Sequence, residues 1–162
     1  MADSSFDIVS KIDQMELDNA FNQCDREIAT RYDFKNTETK IEKTGLKVLL
    51  ESGTEERVKA VLDVLKDKLI KRNVSLKHLD ASEPALSGKT YRINCEFKEG
   101  ISTENAKKIA KFLKEKGAKS LKTQIQGDEL RVSSKSRDDL QTAIAQVKKE
   151  TWEFAVQFTN YR

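Results

Sequence analysis

The sequence predicts an α+β protein built as a tandem repeat of two βαββαβ units. Three observations predict it. The chain runs twice through the same order of period-two and helix-spaced apolar stretches. The two halves align locally: Leu46-Lys47-Val48 matches Leu130-Arg131-Val132, and Val58, Leu62 and Leu65 match Leu140, Ile144 and Val147 at a constant offset of 82. The only proline falls between the copies, in A-S-E-P-A-L-S-G. Each unit is then a four-stranded antiparallel sheet with two helices on one face, the ferredoxin-like arrangement, over residues 1–84 and 88–162.

The first copy opens with F-D-I-V-S-K-I, a strand marked by Phe6, Ile8 and Ile12. Leu17, Phe21, Cys24 and Ile28 follow at helical spacing. An extended region is expected through R-Y-D-F-K-N-T-E-T-K-I-E-K, and Gly45 turns it into L-K-V-L-L-E-S. The helix T-E-E-R-V-K-A-V-L-D-V-L-K-D-K-L comes next, with Val58, Leu62, Leu65 and Leu69 inward, and N-V-S-L-K-H-L closes the unit.

In the second copy Tyr91, Ile93, Cys95 and Phe97 alternate with Arg92, Asn94, Glu96 and Lys98, a strand with one buried face. Ser/Thr at 102–103 starts a helix carrying Ala106, Ile109, Phe112 and Leu113, and Gly117 is placed to cap its end. Leu121, Thr123 and Ile125 form a strand; Q-G-D-E turns it into Leu130, Val132 and Ser134. Ser136 caps a helix with the stripe Leu140, Ile144 and Val147, and Asp138 and Asp139 suit its positive end. Phe154, Val156 and Phe158 alternate in a last strand.

Several function classes find no support. The G-K-T of L-S-G-K-T-Y-R resembles the end of a phosphate loop, but position 83, where the leading glycine belongs, is Glu83. A strand, not a helix, follows Thr90, so a Ser-Gly turn before a strand is expected. His78 is the only histidine, which leaves little for a histidine metal site or a nucleophilic triad. Cys24 and Cys95 stand 71 positions apart among apolar positions, as small buried hydrophobes do in a reducing cytosol. Glu55/Glu56 and Asp138/Asp139 fit helix starts better than acid–base catalysis. No stretch approaches the roughly 18 apolar residues of a membrane span, and M-A-D-S-S-F-D-I-V lacks the basic and apolar regions of a signal peptide. A cytoplasmic protein without catalytic groups, metal or cofactor is expected.

Charge points to an anionic partner. Residues 1–84 hold 14 Lys and Arg against 17 Asp and Glu; residues 85–162 hold 16 against 10. With the apolar strand positions turned to the helices, the second sheet shows Arg92, Asn94, Glu96 and Lys98, then Lys122, Gln124 and Gln126, then Arg131, Ser133 and Lys135. Such a face can neutralise phosphates and meet base edges, although it lacks the aromatic rings on which unpaired bases stack. It can equally be a solvated sheet or one covered by the other unit. Arg31-Tyr32-Asp33-Phe34-Lys35 reads either as a stacking and phosphate cluster or as a helix exit and core strand. K-K-I-A-K-F-L-K-E-K at 107–116 is a basic amphipathic helix whose charges make a solvated face or touch an RNA backbone.

S-F-D-I-V-S at 5–10, R-Y-D-F-K at 31–35, S-G-K-T-Y at 87–91, Q-I-Q-G-D-E-L-R-V-S-S-K-S-R-D-D-L-Q at 124–141 and the ending Q-F-T-N-Y-R together resemble the YajQ family of bacterial proteins. The resemblance runs along essentially the whole chain. It implies tandem ferredoxin-like, RNP-like domains, nucleotide binding with cyclic di-GMP as the ligand of some members, nucleic-acid binding proposed for others, and no enzymatic activity. It also opens an exchange of N-terminal strands, in which 5–12 completes the sheet of the second unit and 91–98 that of the first.

The chain has no R-x-x-D and no R-x-x-x-R of the kind other cyclic di-GMP sites use. Its own basic positions must then hold phosphate and guanine O6/N7. The nucleotide-site candidates are Arg31, Phe34, Lys35, Arg131, Lys135 and Arg137, with Gln124 and Gln126 as base-edge partners. The expected partner is cyclic di-GMP or another guanine nucleotide such as GTP. An RNA or tRNA module and a protein-interaction scaffold are the alternatives, and oligomeric state stays open.

Overall fold

The computed structural model describes residues 3–162 and divides them into two compact units, one combining the chain up to Lys11 with Glu99–Arg162 and the other Ile12–Lys98. The elements run β1 (Ser4–Val9), α1 (Gln14–Thr30), β2 (Lys40–Thr44), β3 (Lys47–Ser52), α2 (Glu55–Lys71), β4 (Leu79–Ala81), β5 (Ala85–Ser87), β6 (Thr90–Phe97), α3 (Thr103–Lys116), β7 (Lys122–Gln126), β8 (Glu129–Ser134), α4 (Arg137–Lys149) and β9 (Gln157–Thr159). Among the described residues no helix is long and apolar enough to cross a membrane.

Each helix begins where a short polar side chain can accept an orphan backbone N–H. Asp13 accepts from Met15 and Glu16, Thr54 from Arg57, Ser102 from Asn105 and Ser136 from Asp139. The turns likewise follow residues that tolerate positive φ. Gly45 (φ 61) joins β2 to β3, Gly88 (φ 63) makes the Ser-Gly turn before β6, and Gly127 (φ 60) closes the β7–β8 hairpin.

The sheet of the first-named unit has the order β7-β8-β1-β9, entirely antiparallel. In the other unit the order is β2-β3-β6-β4, and β5 also pairs with β6. β4 and β5 lie end to end along β6, opposite residues 95–97 and 90–92. Pro84, which has no N–H to donate, sits in the gap between them. That fifth strand falls within the stretch expected to be a linker.

Both sheets therefore follow the ferredoxin-like order, but each takes its first strand from the other half of the sequence. β1 lies between β8 and β9, with Phe6 opposite Val132 and Ile8 opposite Leu130. β6 lies between β3 and β4, with Ile93 opposite Leu50 and Cys95 opposite Val48. Contiguous domains 1–84 and 88–162 do not describe these units, because such a division separates each first strand from the core it completes. Phe6 and Ile8 are buried with Ile109, Leu113, Leu130, Val132 and Val147, and Ile93, Cys95 and Phe97 with Val48, Leu50, Val61 and Leu65. Where the chain returns at residue 100, Gly100 N–H donates to Ser10 C=O at 2.6 Å.

Two local expectations differ from the structure. Residues 31–39 are not extended: Tyr32–Phe34 form a 3₁₀ turn, and Asn36 and Glu38 have φ of 58° and 57°. Thr37 holds this loop, its hydroxyl donating to Phe34 C=O at 2.6 Å and its carbonyl accepting from Gly53 N–H at 2.8 Å. The last strand starts at Gln157 rather than 154, because Trp152 and Phe154 pack against each other and Trp152 against Phe112. His78 is buried in a 3₁₀ turn, with Nδ1 2.9 Å from Lys98 C=O.

Candidate functional site

Strand exchange redistributes the expected basic face. Arg92, Asn94 and Glu96 stand on the helix-free face of the β2-β3-β6-β4 sheet, across from Glu51, Leu49 and Lys47. Lys122, Gln124 and Gln126 stand on the other sheet, opposite Ser133, Arg131 and Glu129, and Lys135 lies past the end of β8. The imbalance between the halves shrinks as well. Counted by unit, Lys and Arg against Asp and Glu are 14 to 11 with Glu99–Arg162 and 16 to 16 in Ile12–Lys98.

The cations on these faces are largely taken up by carboxylates. Arg131 Nε donates to Asp7 Oδ1 at 2.9 Å and its Nη2 to Asp7 Oδ2 at 3.3 Å. Asp7 is 1% exposed and also accepts from Asn160 at 2.8 Å. Arg131's hydrogen bonds hold the Asp7 carboxyl below its ordinary range, against the opposing effect of burial, and Asn160 adds to the lowering. Glu51, 4% exposed, accepts from Thr90 at 2.7 Å and Arg92 at 3.0 Å and pairs with Lys40 at 3.2 Å. These contacts, Thr90 foremost, lower its pKa while burial opposes them. Lys98 pairs with Asp80 at 3.3 Å and Lys122 with Asp3 at 3.7 Å. Arg131, expected to hold phosphate, is thus a partner of a buried carboxylate. Gln124 faces it across the ladder and is exposed; Gln126 is half-buried near the turn.

The 31–35 cluster lies in the unit Ile12–Lys98, and Arg131, Lys135 and Arg137 in the other. Arg31 donates to both oxygens of Asp33, at 3.0 and 2.7 Å, and to Glu27 at 3.2 Å. Its guanidinium covers the Phe34 ring at 4.9 Å, and Phe34 is 4% exposed. Phe34 is a core side chain, not a stacking ring. Lys35 is exposed at the turn.

Arg137 has a different setting. It is the first residue of α4 and lines a cleft of about 280 Å³ between that helix, β1 and the C-terminal segment. Its Nε reaches Ser4 Oγ at 3.4 Å. Opposite stand Tyr161 and Arg162, absent from the sequence-based candidates. Arg162 is fixed by its backbone, which donates to Ser5 C=O at 2.9 Å and accepts from Ser5 N–H at 3.1 Å. The Tyr161 ring leans on buried Phe6 at 6.5 Å yet is 60% exposed. Ser5 and Gln141 line the same space, with Leu140 and Ile144 as its apolar wall. Among the described residues neither Arg137 nor Arg162 forms an ion pair with an Asp or Glu side chain.

The cleft thus combines two guanidinium groups that form no ion pair with an Asp or Glu side chain among the described residues, one exposed ring and small polar side chains. Guanidinium binds phosphate bidentately, and an exposed ring accepts a base face. A larger groove, about 570 Å³, crosses the helix-free face of the other unit's sheet, but Glu42, Asp80 and Glu96 line it against Lys47 alone, so it repels phosphate.

A family model described as nucleotide-binding protein YajQ-like matches residues 4–162. A protein of Streptomyces griseus named nucleotide-binding protein is 61% identical over 162 residues, the whole of both chains. Proteins of the same name from Streptomyces avermitilis and Mycobacterium avium are 60% and 59% identical over 162 and 163 residues, again covering each chain completely. The chain belongs to the YajQ-like nucleotide-binding protein family.

Proposed function

We propose that this chain is a cytoplasmic, non-enzymatic nucleotide-binding protein of regulatory type, and that its ligand sits in the cleft of Arg137, Tyr161 and Arg162. The pairing of two arginines free of side-chain carboxylates with an exposed tyrosine carries the proposal. Arg137 and Arg162 hold phosphate, Tyr161 stacks on the base, and Gln141 with Ser4 and Ser5 meets polar edges. A guanine nucleotide suits the site best, since a guanidinium can grip guanine O6 and N7 with two bonds. Cyclic di-GMP is the specific ligand proposed, with one guanylate half in the cleft and the other outside it. The names of the relatives describe binding, and the chain's usual catalytic side chains are engaged in its core: His78 bonds to Lys98 C=O, and Cys24 and Cys95 are buried.

Calorimetry at physiological salt tests this with cyclic di-GMP, GTP, ATP and pyrophosphate. Guanine nucleotides should bind more tightly than pyrophosphate, and Arg137→Ala and Tyr161→Ala should each weaken them at least tenfold. Equal weak heats for all four, or variants that bind as wild type does, would overturn the assignment. A steep fall of affinity with salt and tighter binding of RNA than of any mononucleotide would instead favour the RNA alternative.

A further inference from the structure

β7 is the edge strand of its sheet, and four of its five residues are exposed. In a two-residue hairpin the residues closing the turn, here Gln126 and Glu129, exchange hydrogen bonds, so Thr123 and Ile125 turn their N–H and C=O groups outward. Beside this edge runs an open groove of about 700 Å³ between α3 and β7. Leu121 and Ala110, both half-buried, give it an apolar floor, with the buried Leu113 beneath them. Gly117 lets the Leu121 side chain close on the end of α3: a Cβ there would lie 2.7 Å from Leu121 Cδ1 and 2.5 Å from the backbone carbonyl oxygen of Leu113. Lys111, Lys114 and Lys119 form its rim, and among the described residues none of the three makes an ion pair. Ile125, 38% exposed, adds apolar surface at the strand's far end.

We propose that this groove docks an extended acidic segment of a protein partner, which adds to β7 as a further strand. A strand laid there satisfies the outward backbone groups of Thr123 and Ile125. Successive side chains of an added strand point to opposite faces, so those on the helix side, some apolar and some acidic, meet Ala110, Leu121 and the lysine rim, a charge complementarity that the unpaired lysines specify. Nucleic acid would use only the lysines: no aromatic ring lines the groove, and a phosphate backbone gains nothing from its apolar floor. The groove shares no residue with the nucleotide cleft, so the two assignments stand or fall separately.

A fluorescent peptide of the repeat Val-Thr-Glu-Thr, which sets valine and glutamate on one face, tests the docking, with its Val-Thr-Lys-Thr counterpart and poly-uridylate as comparisons. The acidic peptide should bind the full-length protein while the basic one does not. Lys114→Glu with Lys119→Glu should weaken it at least tenfold, and so should Thr123→Pro, which removes an outward N–H from an edge position where proline is tolerated. In the wild-type protein the peptide should also shift the Thr123 and Ile125 amide resonances, a readout that needs no variant to fold. Absence of acidic-peptide binding, binding indifferent to a well-folded Thr123→Pro, unmoved Thr123 and Ile125 amides, or tighter binding of poly-uridylate at the same lysines would each overturn the proposal.

Discussion

Asp7 of β1 and Arg131 of β8 face each other in register, 124 positions apart in sequence, and are joined by two hydrogen bonds. The pair ties the first strand of the chain to the hairpin of its second half. Asp7 is nearly inaccessible, so its charge depends on Arg131 and Asn160 for solvation.

Removing that charge's partners, or the charge itself, should loosen β1. Asp7→Ala is expected to lower stability by about 2–4 kcal/mol, since it leaves Arg131 and Asn160 unpaired beside a buried gap. Asp7→Asn, which keeps the shape, should cost less. Urea unfolding curves give both values, and a loss under about 0.5 kcal/mol for Asp7→Ala, the scatter of neutral surface changes, would show that the pair does not hold the strand.

Acid should destabilise the protein through Asp7 and Glu51. Both carboxyls titrate lower in the folded protein than in the unfolded chain. As pH falls, the unfolded state therefore binds protons first. The stability these groups contribute is complete above the ordinary carboxylate range and is lost as pH drops through their folded-state values. Unfolding free energy measured from pH 7 to pH 3 should fall steeply below about pH 5 for wild type and less steeply for Asp7→Asn. Parallel curves would contradict this.

Gly100 marks the place where the chain returns to the first-named unit. Its φ is +86°, and a Cβ there would sit 2.8 Å from Asp128 Oδ2 and 3.0 Å from Asp128 Cβ. Gly100→Ala should cost about 1–3 kcal/mol through backbone strain together with this clash. Gly127→Ala, at φ +60° with open space around it, should cost about 1–2 kcal/mol from conformation alone. Thermal melts that rank Gly127→Ala as the more damaging would refute the crowding at residue 100.

The two thiols should be inert in the folded protein. Burial is the main cause that pushes Cys24 up to about 12 and Cys95 up to about 11. At pH 8 almost no thiolate exists to react. A thiol reagent should label neither cysteine in the native protein and both once it is unfolded. Fast labelling of the native state would contradict the packing described here.

Element order, helix caps and turns were legible in the sequence because they depend on neighbours along the chain. Ser136 and Ser102 cap where expected, and Gly45 and Gly127 turn where expected. The partner of each first strand is a different kind of choice. Phe6 and Ile8 in β1, and Ile93 and Cys95 in β6, present the same apolar alternation, so periodicity does not say which core each completes. The pairing that forms brings together residues distant in sequence, such as Asp7 and Arg131, which no local pattern announces. The resemblance to a known family, not periodicity, opened that possibility.

Much of the candidate site escaped for the same reason. Arg137 was visible as a basic residue at a helix start, but Ser4, Tyr161 and Arg162 reach its cleft from opposite ends of the chain. Arg31 and Phe34 looked available because nothing local shows that Glu27 and Asp33 occupy the guanidinium, or that the ring is buried beneath it.

Amide chemical shifts of the ¹⁵N-labelled protein during titration with cyclic di-GMP test the nucleotide cleft most directly. Saturable shifts should cluster at Ser4, Ser5, Arg137, Gln141, Tyr161 and Arg162, and should disappear in the Arg137→Ala, Tyr161→Ala double variant. Shifts centred instead on Gln124 and Arg131, or no saturable shift with any guanine nucleotide, would contradict the assignment.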